Sequence, residues 1–354
     1  MATAVHDDTA TRDVRRDALA RWIGRHPAAA LIIAAAVIVL LWLILAPWPA
    51  GFEDVFGRKR LFVNALFNGI TLGGLYFLVA SGFTLIFGLM RNVNLAHGSL
   101  YLFGGYMGYE AAEWTGSWLL SYVVAFISCA VIGVAMQVLI FRRMEGQDLR
   151  QTLVTLGLSI VFSDLMVWVW GGNTFQITTP DYLAGPVPTP IVVAVKSSGD
   201  AVFLQYPRVR LVIFAAAVLI GIGMWLALNR TRIGVMIRAG VDDRDMLSVL
   251  GYRVQLVFVL VFAFGAGLAG MAGIVGGTFQ SISLGDDSHF LLASLQVVIV
   301  GGMGSIPGAA LGALIIGLSE QFGLVYFQNY AIVLTFLIMV IVLALRPQGL
   351  LGRR

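Results

Sequence analysis

From Leu61 to Met90 the chain runs for thirty residues without one charged side chain. About 20 apolar residues in a helix cross the hydrocarbon core of a bilayer, so this run is long enough to cross it with residues to spare. Comparable runs follow at Trp118 to Phe141, Thr152 to Trp170, Leu211 to Leu228, Gln255 to Val275 and Tyr330 to Leu345, and another precedes it at Ala28 to Ala46. None contains Lys or Arg. Backbone polar groups in lipid must be satisfied within the chain, which restricts such segments to helices. Only 12% of residues are charged against roughly 25% in soluble domains, and 59% are hydrophobic with a mean hydropathy of +0.88. The expected fold is an all-α polytopic membrane protein with about 8–10 transmembrane helices, some of them broken half-helices.

Residues 1–27 read as a cytoplasmic N-terminal segment carrying Arg12, Arg15, Arg16, Arg21 and Arg25. Residues 28–46 read as an extra N-terminal transmembrane helix, because a signal peptide has an apolar core of only about 7 to 15 residues. Asn64, Asn68, Gly69, Gly73 and Gly74 fall in the first half of the run that ends at Met90, which predicts a tilt, a kink or a partial break near Asn68-Gly69. Next comes NVNLAHG, where Asn94, His97 and Ser99 are too polar to face lipid, placing this turn at a water interface or along an internal cavity. Gly104 and Gly108 form a GxxxG suited to close helix contact.

Residues 171–209 hold five prolines and the strand-like IVVAV and AVFLQY, and read as an ordered periplasmic loop. Late in the chain, Gly301, Gly302, Gly304, Pro307 and Gly308 interrupt an apolar stretch and leave two arms of about 12 to 16 residues, each short for a crossing of ~20. Two half-helices around a non-helical GGMGSIPG are expected. The two interrupted passages follow spans of opposite direction, the arrangement of an inverted repeat whose discontinuous helices converge on a pathway.

Residues 229–254 form the densest run of charge, NRTRIGVMIRAGVDDRDMLSVLGYRV. Gly240 is expected to break the chain there, and Asp242 or Asp243 to N-cap a short helix with Met246, Leu247, Val249 and Leu250 largely on one side, ended by Gly251. Such an amphipathic element at a membrane surface docks on headgroups or in a protein groove. With the resulting path, 17 of the 23 Lys and Arg lie on the side of both termini, the cytoplasmic side by the positive-inside rule. The other six are Arg58, Lys59, Arg60, Lys196, Arg208 and Arg210.

A pI near 9.4 and net charge of +4 do not indicate nucleic acid here, since the basic residues flank spans. The single cysteine, Cys129, gives no disulfide or thiolate cluster, and His6, His26, His97 and His289 are scattered without metal spacing. No P-loop and no GxSxG are present, so no enzyme chemistry, cofactor or metal is expected.

FNGITLGGLYFLVASGFTLIFGLMRNVNLAHGSLYLFGGYMG resembles the opening of the branched-chain amino acid ABC transporter permeases. RTRIGVMIRAGVDDRDMLSVLGYRV resembles their cytoplasmic coupling region, VIVGGMGSIPGAALGALIIGL their glycine-rich segment, and RPQGLLGRR their terminus. The likeness covers roughly residues 61–354, and NxAHG with a short tail is similar to the H-type subunit. It implies a type II importer with a second, M-type permease, two cytoplasmic ABC ATPases, a periplasmic substrate-binding protein and an inner-membrane location with both termini cytoplasmic. By the same resemblance Arg238, Ala239, Asp243, Leu250 and Gly251 match the ATPase-coupling motif. Asn94, Ala96, His97 and Gly98 match the first polar motif, and Gly301, Gly302, Gly304, Pro307 and Gly308 the second; Asn68, Asn94, His97, Gly98, Gly301, Gly302 and Gly304 are the candidates for the translocation pathway. A urea or short-chain amide permease is the nearest alternative. An ion-coupled secondary transporter is a second, for which Asp164 with His97 is the candidate ion site.

Overall fold

The computed structural model describes residues 38–46, 48, 52–53, 58–90, 93–195, 200–242, 249 and 253–352. Ten helices and a β-hairpin can be named among them: α1 Lys59–Met90, α2 His97–Thr115, α3 Trp118–Leu139, α4 Asp148–Trp170, β1 Pro186–Val195, β2 Ala201–Pro207, α5 Arg208–Arg230, α6 Arg232–Asp242, α7 Val254–Phe279, α8 Asp286–Gly301, α9 Ile306–Tyr326 and α10 Ala331–Leu345. Seven helical stretches among the described residues are long and apolar enough to cross a membrane. Helices α2 and α8 are outside that set: α2 carries Glu110 and Glu113, and α8 has 16 residues, a length of about 24 Å against ~30 Å of hydrocarbon.

The chain divides into two compact units. The first comprises Met1–Val63 with Thr189–Leu204. Its described part includes helical residues 38–45 and an edge-to-face aromatic group in which Trp48 meets Phe52 and Phe62 at 5.4 and 5.7 Å. Lys59 Nζ donates to Ala46 O at 3.0 Å. The segment 1–27, and the proposed span as far as residue 37, lie outside the described residues.

The second unit, Asn64–Pro188 with Gln205–Arg354, holds the helical bundle. Helices α1 and α7 are buried at its centre, while α4, α5 and α10 expose apolar faces. Glycines set how closely the central helices approach. A Cβ on Gly104 of α2 would overlap the backbone of Gly270 in α7, and one on Gly270 would fall 2.5 Å from Cys129 Sγ in α3. Cys129 is thus a small packing residue, its thiol donating to Leu100 O.

Three expectations about backbone breaks need correction. Helix α1 is continuous through Asn68-Gly69, so of the tilt, kink or partial break expected there the break is absent. An added Cβ on Gly69 would come within 2.9 Å of Leu318 Cα, so this glycine admits α9 rather than interrupting α1. Gly240 likewise lies inside α6. Packing outweighs the cost of about 1 kcal/mol for a helical glycine, because Ile237 buries against Leu85, Leu89, Val257, Phe258 and Val261. The Thr231 hydroxyl accepts from Gly234 N at 3.1 Å and starts that helix. The capping expected of Asp242 or Asp243 and the helix expected over Met246, Leu247 and Leu250 fall outside what the described residues cover, and Val249 is helical and exposed.

The late break is shorter than GGMGSIPG. Only residues 302–305 leave the helix, with Gly302 at φ +109 and Gly304 at φ +77, values that L side chains rarely adopt. Ser305 accepts from Gly308 N at 3.1 Å and Pro307 fits the first turn of α9, where its missing N–H is harmless. One arm is short as expected, but α9 has 21 residues and is long enough to cross. The C-terminal tail turns back to this break: Leu350 N and Leu351 N donate to Val300 O and Gly301 O, both at 2.9 Å, satisfying carbonyls that the end of α8 would leave open.

Candidate functional site

The connection between α4 and α5 carries the hairpin, and the helix ends on that side form the hairpin end of the bundle. Asn94, His97 and Gly98 follow the break between α1 and α2 and are buried among helices. Asn94 Oδ1 accepts from Ala96 N at 3.1 Å. His97 is fully buried, its Nε2–H donates to Val79 O at 3.0 Å, and its ring meets Phe83 edge to face at 5.4 Å. His97 Nδ1 and Asn94 Nδ2 have no hydrogen-bond partner among the described residues. Gly98 lets α2 rest on α8, since a Cβ there would overlap Asp287 O.

Gly301, Gly302 and Gly304 lie at the opposite end of α8 from Asp287. Gly301 packs on Gly308, and Gly304 lies beside Gly88 of α1. Fourteen residues separate Asp287 from Gly301, roughly 21 Å along a helix. The structure therefore does not bring the two polar motifs together. Asn68 lies elsewhere again, at the hairpin end, where its Oδ1 accepts from Tyr206 and Arg210. Of the coupling candidates, Arg238 and Ala239 are on α6, with Arg238 Nη1 donating to Asn229 Oδ1 at 2.8 Å. Asp243, Leu250 and Gly251 lie outside the described residues. Asp164 is exposed on α4 and shares no hydrogen bond or ion pair with His97.

A cluster that the sequence reading did not assemble joins three helices near the hairpin end. Tyr76 of α1, fully buried, donates through its hydroxyl to Glu320 Oε2 of α9 at 2.6 Å and lies 3.1 Å from His289 Nε2 of α8. His289 Nε2 and Glu320 Oε1 are 3.9 Å apart. Phe290 forms the floor, edge-on to Tyr76 at 5.8 Å and stacked on Tyr101 at 4.0 Å. The cluster opens to the chain surface, with the His289 and Glu320 side chains 51% and 19% exposed. It offers a hydrogen-bond acceptor that can carry negative charge beside an imidazole able to donate or accept. Charged side chains within membrane spans are costly to expose to lipid and characteristically face a bundle interior or a water-filled cavity. Glu320 is the lone charged residue of α9, a signal visible in sequence; Tyr76 and His289, 244 and 31 residues from it, carried no local signal.

Residues 65–343 match the family model described as branched-chain amino acid transport system, permease component. The high-affinity branched-chain amino acid transport system permease protein BraD of Pseudomonas aeruginosa is 29% identical over 304 residues, covering 82% of this chain and 96% of that protein. LivH of Escherichia coli, named in the same way, is 28% identical over 305 residues with the same coverage. LivM of Escherichia coli is 24% identical, covering 79% of this chain but 68% of that protein. A solved structure, PsaBC from Streptococcus pneumoniae in complex with Fab, aligns with a TM-score of 0.46 and 12% identity over 82% of this chain and 94% of that one, a likeness too low to bear on the helix arrangement. With a family match over most of its length and seven apolar helices of membrane-crossing length, this multi-pass inner-membrane chain belongs to the branched-chain amino acid transport system permease family and is a permease subunit of an ABC importer.

Proposed function

We propose that this chain is the H-type permease of a binding-protein-dependent importer for leucine, isoleucine and valine. It pairs with an M-type permease, two cytoplasmic ABC ATPases and a periplasmic substrate-binding protein. The coverage of the relatives supports the H-type reading, at 96% of LivH and 68% of LivM. The hairpin end is periplasmic and both termini are cytoplasmic, in line with the concentration of Lys and Arg on the other side.

One observation carries the transport reading: Tyr76, His289 and Glu320 open a polar surface within the apolar bundle. In a permease pair such a surface lines a water-filled route, where the carboxylate can meet the substrate ammonium while apolar walls accept an aliphatic side chain. Asn68, Asn94, His97, Gly98, Gly301, Gly302 and Gly304 belong to the same route or to the helix breaks that shape it. Arg238, Ala239, Asp243, Leu250 and Gly251 form the handle on which the ATPases act. ATP binding moves that handle, and the pathway alternates between its two sides.

The test is uptake into proteoliposomes holding this chain, its partner permease and ATPases, with labelled leucine or urea supplied by their respective binding proteins. Leucine uptake that needs enclosed ATP is the expected result. Uptake of urea without leucine would replace the substrate class, and leucine uptake without ATPases would remove the coupling role of the handle.

A further inference from the structure

Arg210, at the hairpin end, is one of the six basic residues on the minority side of the chain. It lies in the first turn of α5, half-buried, and no ion pair to it is found among the described residues. Its Nη1 donates to Asn68 Oδ1 at 2.5 Å, and its guanidinium carbon lies 4.7 Å from the Phe279 ring centroid and 5.9 Å from that of Tyr206. Tyr206 is itself buried and donates to the same Asn68 oxygen at 3.2 Å, while its hydroxyl also lies 3.0 Å from Thr71 Oγ1. Side chains from α1, β2 and α7 thus orient one guanidinium without neutralising it.

That arrangement differs from a lipid-anchoring arginine, whose long side chain extends freely toward headgroups. Here the aromatic faces and a neutral amide hold the planar fork, and Nε and Nη2 make no hydrogen bond to a described residue. A fixed guanidinium fork matches a carboxylate through two parallel N–H···O bonds. The Arg210 partner Asn68 also precedes Tyr76 of the Glu320 cluster by eight residues on α1, about 12 Å along the helix.

Resting on the amino-acid reading above, we propose that Arg210, positioned by Asn68, Tyr206 and Phe279, receives the carboxylate of the incoming amino acid at the hairpin-end mouth. It thereby selects carboxylate-bearing substrates over uncharged amides.

The assembled importer with cysteine-free partners tests this through Arg210→Cys, because the single native cysteine, Cys129, is buried. Initial leucine uptake is expected to fall about tenfold or more, the loss of one charge-assisted contact. Ethylammonium methanethiosulfonate, which restores a positive charge, should recover several-fold of that loss, and neutral methyl methanethiosulfonate should not. Arg210→Lys should fall between wild type and Arg210→Cys, and saturating leucine-loaded binding protein should slow the labelling. Wild-type leucine uptake in Arg210→Cys, or equal recovery with both reagents, would overturn the proposal. Recovery that follows the anionic-lipid content of the vesicles, without protection by leucine, would reassign Arg210 to a lipid phosphate and also overturn it. A wild-type importer that carries urea but no leucine would instead overturn the substrate reading on which the proposal rests.

Discussion

Replacing Tyr76 by Phe removes one oxygen and keeps the ring that meets Phe290 edge-on at 5.8 Å. The lost hydroxyl donates to Glu320 at 2.6 Å and lies 3.1 Å from His289. Hydrogen bonds to charged groups contribute about 1.5–3 kcal/mol in soluble proteins, whereas side-chain bonds between membrane helices average about 0.6 and reach about 1.7 kcal/mol. The buried donor and short distance favour the upper part of the membrane range; the partly exposed carboxylate keeps the value from exceeding it. A coupling of ~1–1.5 kcal/mol between Tyr76 and Glu320 is therefore expected. The assay is a double-mutant cycle of Tyr76→Phe and Glu320→Leu, read as unfolding free energy in mixed micelles by tryptophan fluorescence. The double variant should lose less stability than the two singles together by that amount. Additivity within ~0.3 kcal/mol would refute the assignment of Tyr76 as the group that holds the carboxylate.

Gly104→Ala should destabilise by about 1–3 kcal/mol or more in the same assay because its Cβ has no room against Gly270, whereas Gly157→Ala on α4, with nothing within 4 Å, should be neutral or stabilising by up to ~1 kcal/mol. Gly302→Ala combines an unfavourable φ of +109 with a methyl directed at Gly352, so the Leu350 and Leu351 amides should exchange with solvent faster; unchanged exchange would show that the tail does not depend on that turn. Leu250→Arg and Asp243→Arg should abolish ATP-dependent uptake by disturbing the handle, while the ATPases continue to hydrolyse ATP without stimulation by loaded binding protein. Retained stimulation in both variants would place the coupling contact elsewhere.

The membrane-crossing helices were readable because charge is excluded from long runs, and the hairpin because IVVAV and AVFLQY are strand-forming segments among prolines and glycines. Glycine was harder to interpret. At Gly302 and Gly304 it marks a true break with positive φ, but at Gly69 it gives room for α9, and at Gly240 it is carried through a helix by the burial of Ile237. Sequence presents the same residue type in all three settings; the neighbouring helix decides between them. The polar motif around His97 was visible, yet its contact with Val79 O depends on how α2 folds against α1. Tyr76, His289 and Glu320 meet only through the packing of α1, α8 and α9, and no periodicity within one helix encodes that meeting. Arg210 stood out only as a cation on the minority side; its relation to Asn68, already a pathway candidate, required the fold.

The central claim is that this permease moves an amino acid at the expense of ATP hydrolysed by attached ATPases, and the most direct test is the energy source for leucine uptake. The reconstituted importer should accumulate labelled leucine with ATP enclosed, at the same initial rate with and without a protonophore and in sodium-free buffer, and should stop when the ATPases are omitted. Accumulation without ATPases that collapses with the protonophore or on sodium removal would contradict the account.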